Sequence, residues 1–254
     1  MAIPGPASRF ALSVLTHTVL MPLSESYIIP EILYEDEYFV VVNKPMGILS
    51  QEDPTGHKPI GQYVRQYLHQ QSGTPLADLF VSPINRLDRP VGGIMMLAKS
   101  KEAEFKMSAL FKHRLIRKRY WAITSRIPRP KQAYLKHFLR KDTSENKVTL
   151  YQSPQLNTKP TALRYSYLRS ANNFHLIEVL LLTGQPHQIR AQLASVKSPI
   201  VGDRKYGSPR PNHTRNICLF AHNIAFIHPY RFVPVKIEAQ PPDDPIWNLF
   251  FDAR

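Results

Sequence analysis

Residues 85–98 read Asn-Arg-Leu-Asp-Arg-Pro-Val-Gly-Gly-Ile-Met-Met-Leu-Ala, a polar loop that runs directly into an apolar stretch. The stretch 94–98 has the length and composition of a buried strand, and the proline and glycines before it indicate a loop. Asp88 lies on this loop between Arg86 and Arg89, where opposite charges hold a carboxylate ionised. Such a carboxylate can act as a nucleophile or a base. A plain loop salt bridge is the alternative.

The segments around this loop show the patterns of short strands and a few helices. Strands are predicted at 38–42, 120–124, 161–168, 174–182, 217–227 and 232–237. Helices are predicted where apolar residues recur from Ile60 to Leu68, after the N-cap Ser100, and over 188–196. Because strands outnumber helices without regular alternation, we expect an α+β fold with a mainly antiparallel or mixed sheet, flanked by helices and loops.

The charge is concentrated in one part of the chain. The 254 residues carry a formal charge of +14, and residues 99–141 hold fourteen Lys or Arg against Glu102 and Glu104, a net of +12. A field of this kind favours a polyanionic partner such as nucleic acid. A solvated basic surface is the alternative, and a membrane surface fits less well because the segment lacks a long amphipathic helix.

Composition also limits the domain organisation and the class of protein. The length corresponds to one large or two small domains, and we expect a tail over 1–27 followed by a single domain over 28–254. A single cysteine, Cys218, excludes an internal disulfide and any multi-cysteine metal site. No apolar run approaches the ~18 residues of a membrane span, so no membrane association is expected.

A second polar cluster is Thr-Gly-Gln-Pro-His-Gln-Ile-Arg at 183–190. It follows a long apolar strand and begins a helix, with Pro186 near the first helical position, where backbone N–H groups can receive an anion. A simple helix cap is the alternative. Phosphate-loop, dinucleotide, zinc-protease and hydrolase-elbow motifs are all missing from the sequence. His222 and His228 lack a third ligand, so no metal site is predicted.

Four blocks of the sequence together resemble the RluA family of RNA pseudouridine synthases, which isomerise uridine in RNA. In chain order the blocks are Ile32–Glu37 running into Val42–Gly47, Asn85–Pro90 with the strand to Lys99, Lys118–Ala122, and Leu182–Arg190 followed by Pro199–Asp203 and Tyr206-Gly207. They cover roughly residues 31–237 in the order and spacing of the family.

The resemblance implies roles for individual residues. Asp88 matches the catalytic aspartate, Tyr120 the tyrosine that packs on the uracil and is a candidate for accepting the carbon-5 proton, and Arg190 the basic partner of the aspartate. Arg86 matches the arginine that fills the space of the flipped nucleotide, and Ile189 walls the base pocket. Further substrate-binding residues are expected in the same blocks, at Lys44, Asn85, Lys118, Arg119 and Gln188.

The resemblance also implies the partners of the chain. We expect rRNA or tRNA as the substrate, no metal or organic cofactor, no DNA or membrane partner, and a cytoplasmic monomer without a separate N-terminal RNA-binding domain. Flipping a base out of the RNA stack costs a few kcal/mol, and a side chain that fills the vacated space lowers this cost. An arginine beside the pocket is suited to that role. The basic segment 99–141 is expected to follow the RNA backbone.

The sequence departs from the family pattern at several positions. Asn85 stands where the family usually has His, Val91-Gly92 where it has Thr-Ser, and Gln185 where it has Arg; Phe220 replaces the His of a late Leu-His-Ala. These departures keep a second hypothesis open, an RNA-binding chaperone on the same fold with impaired catalysis. A glycosidase that cleaves the base is disfavoured, because no second carboxylate is evident near Asp88.

Overall fold

Eleven strands form one mixed sheet in the residues described by the computed structural model, 30–209 and 216–251. The expected tail over 1–27 lies outside these residues. The strands are β1 (Glu31–Glu35), β2 (Phe39–Lys44), β3 (Ser82–Pro83), β4 (Gly92–Ala98), β5 (Arg117–Thr124), β6 (Gln132–Asp142), β7 (Lys147–Tyr151), β8 (Lys159–Ala171), β9 (Phe174–Leu181), β10 (Leu219–Ile227) and β11 (Pro234–Glu238). The helices are α1 (Ile60–Ser72), α2 (Lys101–Lys112) and α3 (Gln188–Ser195), with short 3-10 helices at Arg204–Tyr206 and Trp247–Leu249.

The sheet order places β4 at the junction of two halves. The order is β1-β2-β4-β10-β5-β9-β8-β6-β7, with β3 also on β4 and β11 also on β10. All pairs are antiparallel except β4 with β10, which run parallel. The predicted α+β class with a mainly antiparallel sheet is confirmed.

Helices cover both faces of the β2–β4 half, as the continuous apolar strands require. Ile60, Val64 and Leu68 of α1 pack on one face against Val40 and its neighbours. Ala103 and Met107 of α2 belong to the large core on the other face. Ser100 caps α2 as predicted, because its side chain accepts a hydrogen bond from Ala103 N at 3.1 Å.

Helix α3 covers one face at the far end of the sheet. Ala191 packs with Leu139 of β6 and Val148 of β7 in a small separate core. Gln192 Nε2 lies 3.0 Å from Nδ1 of the buried His137 on β6. The opposite face of β6 is solvent-exposed, with Tyr134, Lys136 and Arg140 outward. The sheet therefore has one covered and one open face at this end.

The predicted elements are present, but the sequence patterns missed part of the sheet. Strands β1, β3, β6 and β7 were not predicted, and the last two predicted strands begin two residues later, at Leu219 and Pro234. The helix predicted over 188–196 begins at Gln188 as expected and ends one residue earlier, at Ser195. His228 follows β10 and lies 2.8 Å from Asp36, away from any ligand cluster, and the described residues contain no group of three potential metal ligands. None of their helices is long and apolar enough to cross a membrane.

Candidate active site

The loop that carries Asp88 is clamped through the main chain on both sides of it. Ser50 Oγ donates to Leu87 O at 2.6 Å and accepts from Leu87 N at 3.0 Å. On the other side, Gly47 N donates to Arg89 O at 2.8 Å, and Lys44 Nζ lies 3.5 Å from the same oxygen. The Asp88 side chain is thus fixed in position by loops that follow β2.

Arg190 connects the Asp88 carboxylate to a buried second carboxylate. Its Nη1 donates to Asp88 Oδ2 at 2.8 Å, and its Nε and Nη2 donate to Asp203 at 2.7 and 2.9 Å. Burial alone would lower the pKa of Arg190, but hydrogen bonds and charge from Asp203 and Asp88 raise it above its usual value. Within the described residues, no hydrogen bond reaches Asp88 Oδ1, so one carboxylate oxygen is held and the other faces the cleft.

His187 and Tyr206 form a second support beside the same carboxylate. Tyr206 Oη accepts from Val148 N at 2.9 Å and lies 2.9 Å from His187 Nδ1, to which it can donate its proton. That arrangement leaves the other ring nitrogen, Nε2, to carry the hydrogen, 3.6 Å from Asp88 Oδ2. Burial lowers the pKa of His187, which favours this neutral form.

A cleft of about 920 Å³ opens in front of Asp88. Tyr120 of β5 forms its floor and is only 8% exposed. Burial, and then the Asp88 carboxylate, raise the pKa of Tyr120 far above its usual value, so the phenol is neutral at physiological pH. Leu181, Ile189 and Leu219 add apolar walls. The volume suits one nucleotide together with part of its neighbours.

The rim of the cleft is basic. Eight Lys or Arg line it against three acids; the cations are Arg86, Arg89, Lys112, Arg114, Lys118, Lys141, Arg190 and Lys205, and the acids are Glu52, Asp53 and Asp88. Burial lowers the pKa of Lys118, whose ammonium lies over the Phe111 ring at 5.5 Å. A positive, partly apolar cleft is suited to a flipped base with its flanking phosphates.

The expected substrate-binding residues Asn85, Arg86, Lys118, Gln188 and Ile189 line the cleft. Arg86 Nη1 donates to Gln51 Oε1 at 2.9 Å on the exposed side. Asn85 bridges the loop to β4 through Ile94 O and Met96 N. The Gln188 amide is engaged internally, since its oxygen accepts from Thr183 Oγ1 and Gln185 N and its nitrogen donates to Ala162 O and Gln192 Oε1.

Two expected substrate-binding residues lie outside the cleft. Lys44 is fully buried and donates to Pro45 O at 2.9 Å and Ile48 O at 2.8 Å; burial lowers its pKa to about 7. Arg119 follows Lys118 on β5, so it projects from the opposite face and pairs with Glu178. Lys44 therefore supports the Asp88 loop from beneath, and Arg119 belongs to the other side of the sheet.

The cation beside Asp88 is Arg190, the partner that the resemblance implies, and not either of the arginines next to Asp88 in the sequence. Arg86 turns to Gln51, and Arg89 Nε donates to Gly47 O at 3.0 Å. Arg190 takes their place. Sequence patterns gave no role to Ser50, His187, Asp203 or Tyr206, although the last three stand in or beside the fourth block. The i, i+3 spacing of His187 and Arg190 at the start of α3 was the available signal.

The fold is that of a class of solved RNA pseudouridylate synthase domains. Among solved structures, human RNA pseudouridylate synthase domain containing 4 superposes with a TM-score of 0.70 and 21% identity, covering 86% of this chain and 90% of that one. Human RNA pseudouridylate synthase domain containing 1 gives 0.68 and 21%, covering 86% of each. At this identity the likeness establishes the fold.

The sequence profile described as RNA pseudouridylate synthase matches residues 38–195, and the chain belongs to this family. It is similar to tRNA pseudouridine synthase C of Vibrio vulnificus (strain CMCP6), 30% identical over 247 residues, with 87% of this chain and 94% of the relative covered. The same enzyme of Haemophilus influenzae is 33% identical, with 82% and 92% covered. Ribosomal large subunit pseudouridine synthase C of Rickettsia typhi is 29% identical, with 92% and 77% covered. The chain is thus an RNA pseudouridine synthase, an isomerase.

Proposed function

We propose that this chain converts uridine to pseudouridine in tRNA, with Asp88 as the catalytic carboxylate, Tyr120 as the residue against the uracil, and Arg190 as the partner that orients Asp88. The observation that carries the assignment is the Asp88 carboxylate itself. One of its oxygens is held by Arg190 at 2.8 Å, while the other faces a basic cleft floored by Tyr120.

The isomerisation conserves every atom of the substrate. The bond from ribose C1′ to uracil N1 breaks, the base turns, C1′ bonds to carbon 5, and the proton on carbon 5 leaves as N1 gains one. Asp88 serves either by attack on C1′ or by action at the 2′ position. Apolar walls such as Ile189 let the detached uracil turn while excluding water.

A flipped uridine needs its place in the RNA filled. Arg86 stands at the mouth of the cleft, two residues from Asp88, and its bond to Gln51 lies on the exposed side. Its guanidinium can stack on neighbouring bases and contact phosphates, which lowers the cost of flipping. Lys118 lies two residues before Tyr120 on β5 and also lines the cleft, where it can bind a phosphate or the edge of the uracil. Asn85 and Gln188 hold the surrounding loops in place.

Similarity to relatives named for tRNA supports tRNA over rRNA as the substrate. The relatives named tRNA pseudouridine synthase C in Vibrio vulnificus and Haemophilus influenzae are covered over 94% and 92% of their length. The Rickettsia relatives named for the large ribosomal subunit are covered over only 77% and 68%. We also propose that the enzyme acts in the cytoplasm as a monomer without DNA or membrane partners.

The unusual residues of the Asp88 region fit the structure, which supports an active enzyme over an impaired one. A Cβ at Gly92 would lie 3.0 Å from Met46 Cγ and 3.3 Å from Lys44 O, so the absence of a side chain at Gly92 leaves room for Met46. Asn85 makes two bonds to β4.

The test supplies purified protein with tRNA and rRNA from cells that lack it, and maps pseudouridine by carbodiimide labelling and primer extension. New sites in tRNA, absent with Asp88→Asn, are the expected result. Asp88→Asn keeps the shape of the side chain, so its RNA affinity should change less than about twofold. New sites in rRNA alone would refute the substrate, and activity retained by Asp88→Asn would refute the assigned residue. RNA binding without any isomerisation would favour the chaperone.

A further inference from the structure

The face of the sheet that points away from the cleft carries a cluster of cations and aromatic rings. Paired residues of antiparallel strands share a face, and the register runs from Arg119 to Leu180, from Leu180 to Arg164, and from Arg164 to Tyr134. Lys136 and Arg140 lie on the same face as Tyr134 because side chains alternate along β6, and Tyr151 lies there because it pairs with Phe138 of β6. We define the back-face cluster as Tyr134, Lys136, Arg140, Tyr151 and Arg164.

The cluster is open to solvent among the described residues. Tyr134 is 48% exposed, and Lys136, Arg140 and Arg164 are exposed as well. The C-terminal segment covers the neighbouring part of this face near β5 and β10, where the ring of Phe251 lies 4.3 Å from that of Trp121. It also reaches the end of β8, where Phe250 O accepts a hydrogen bond from Arg169 Nη2, while Tyr134, Lys136, Arg140 and Arg164 stay exposed. Tyr134 lies where β6 is an edge strand, paired in the described part of the chain only with β8, and its exposed ring offers a stacking surface.

The charges of the cluster are positive and lie against its rings. Lys136 Nζ and Arg164 Cζ lie 5.0 and 5.5 Å from the Tyr134 ring centroid, and Arg140 Cζ lies 5.0 Å from that of Tyr151. Within the described residues, none of the three cations forms an ion pair. Asp142, at the end of the hairpin, is the acid nearest in sequence, and its Oδ1 accepts bonds from the turn at Ser144 and Glu145.

The cluster is continuous with the cleft around the edge of the β6–β7 hairpin. Lys141 and Asn146 line the cleft, while Arg140, next to Lys141, belongs to the cluster on the other face. Lys205 of the cleft donates to Asn146 O at 2.9 Å and fixes the hairpin there. Lys141 and Tyr134 lie seven residues apart on β6, about 24 Å along the strand at ~3.4 Å per residue, so several nucleotides of single-stranded RNA are needed to pass from the cleft to Tyr134.

We propose that the back-face cluster binds a single-stranded segment of the substrate RNA while the target uridine occupies the cleft. Tyr134 stacks an unpaired base, and Lys136 and Arg164 bind its phosphates. Sheet surfaces with exposed aromatic rings beside cations bind single-stranded RNA in this way. Residues 1–29 carry one Arg and one Glu, so they offer no complementary charge as an alternative occupant. The proposal rests on the proposed function for its RNA.

Binding and turnover together test the cluster. The test variant combines Tyr134→Ala, Lys136→Gln and Arg164→Gln, all exposed positions that folding tolerates. Its Kd for total bacterial tRNA should rise about tenfold at 0.15 M salt. The slope of log Kd against log salt should fall by about 1.4 for two lost phosphate contacts on a single strand. kcat at saturating tRNA should not change, because the cleft is intact. A triple variant with Tyr134→Phe in place of Tyr134→Ala should regain the part of the RNA affinity that comes from stacking.

The matched control removes two cations and one exposed ring from helix α2: Lys101→Gln, Lys106→Gln and Phe105→Ala, with Lys106 half-buried and Phe105 76% exposed in the wild type. It should leave Kd within about twofold. An equal loss in this control, or an unchanged Kd and salt slope in the test variant, would overturn the proposal. Crosslinking of wild type to 4-thiouridine tRNA gives an independent readout, expected on the peptide with Tyr134; crosslinks confined to cleft peptides would also overturn it. If the wild type forms no pseudouridine, the proposed function fails, while binding still decides the cluster.

Discussion

Arg190 Nη1 lies 2.8 Å from Asp88 Oδ2, although 102 positions separate the two residues in the chain. The contact joins the loop before β4 to the first turn of α3, so the candidate site forms only when the two halves of the sheet assemble. Asp203 holds the other side of the same guanidinium with two bonds. Arg190 therefore contributes both to the position of the Asp88 carboxylate and to the stability of the fold, and mutations can separate these two contributions.

Arg190→Met should impair both properties. The variant leaves Asp203, 1% exposed, as an unpaired buried charge, so the free energy of unfolding should fall by about 3–5 kcal/mol. Loss of the bond to Asp88 should lower kcat about 100-fold or more through misplacement of the carboxylate. Urea unfolding and single-turnover pseudouridine formation measure the two effects.

The double variant Arg190→Met/Asp203→Leu separates them. Replacing both buried charges with apolar side chains should recover most of the stability, because the unpaired carboxylate is gone. Activity should stay low, since Asp88 still lacks its partner. Recovery of activity together with stability would show that Arg190 acts only as a structural support.

Tyr120→Phe tests the phenol apart from the ring. Burial and the Asp88 carboxylate raise the pKa of Tyr120, so the phenol enters the reaction protonated and must give up its own proton as it takes one from carbon 5. The variant should keep RNA affinity within about twofold and lose turnover by about 100-fold or more, the scale of a general acid–base group. Tritium release from RNA labelled at uridine carbon 5 measures this step.

Tyr120→Leu is the companion variant, since it removes the ring as well. It should weaken RNA binding where Tyr120→Phe does not, because the flipped uracil loses its stacking partner. Turnover by Tyr120→Phe within tenfold of wild type would show that the ring, and not the hydroxyl, is what the reaction needs.

Lys44 should make stability depend on pH in a defined direction. Its pKa is about 7 in the folded protein, against an ordinary value of 10.5. Between these values the unfolded chain binds the proton and the folded protein does not, so stability rises with pH through this window and is lowest below pH 7. From pH 7 to 9, the wild type should gain about 2 kcal/mol relative to Lys44→Met.

Urea unfolding at both pH values gives the comparison, with the exposed Lys101→Met as the control that should follow the wild type. Differencing against Lys44→Met removes other groups that titrate in the same range, Lys118 among them. A Lys44→Met variant that keeps the full wild-type slope would show that the buried ammonium is not the titrating group.

Local patterns in the sequence predicted the elements that are apolar and capped. The strand at 94–98 and the helix after Ser100 are examples, since burial and capping leave clear marks on composition. Strand β6 was missed because the aromatic Tyr134 points outward and the polar His137 points inward, which breaks the apolar–polar alternation of a half-buried strand. Strand pairing is a long-range property, and an 11-stranded sheet could not be read from local periodicity.

For the candidate site, too, the sequence predicted some features and not others. The polar loop around Asp88 and the cluster ending at Arg190 stand out in sequence, and the structure places them in one cleft. The cation that faces Asp88 could not be identified from the neighbours Arg86 and Arg89, because side-chain direction depends on the loop conformation. Lys44 is a further case, since nothing in its local sequence distinguishes a buried, carbonyl-bound lysine from one that binds phosphate.

The parallel pairing of β4 with β10, which joins the two halves of the sheet, depends on Gly93. Its φ is +112°, and a Cβ there would lie 2.3 Å from Ala221 O and 2.6 Å from Ala221 N. Since both contacts are with backbone of the adjacent strand, Gly93→Ala should cost at least about 3 kcal/mol or prevent folding. Gly61→Ala is the matched control on α1, where a Cβ would meet Leu97 at an ordinary 3.8 Å, and it should stabilise the protein by about 0.4–1 kcal/mol. Thermal unfolding of both variants decides the point. A Gly93→Ala protein as stable as the wild type would mean that β4 and β10 can separate without loss, and then the alignment of Asp88 with Arg190 across this junction would need another cause.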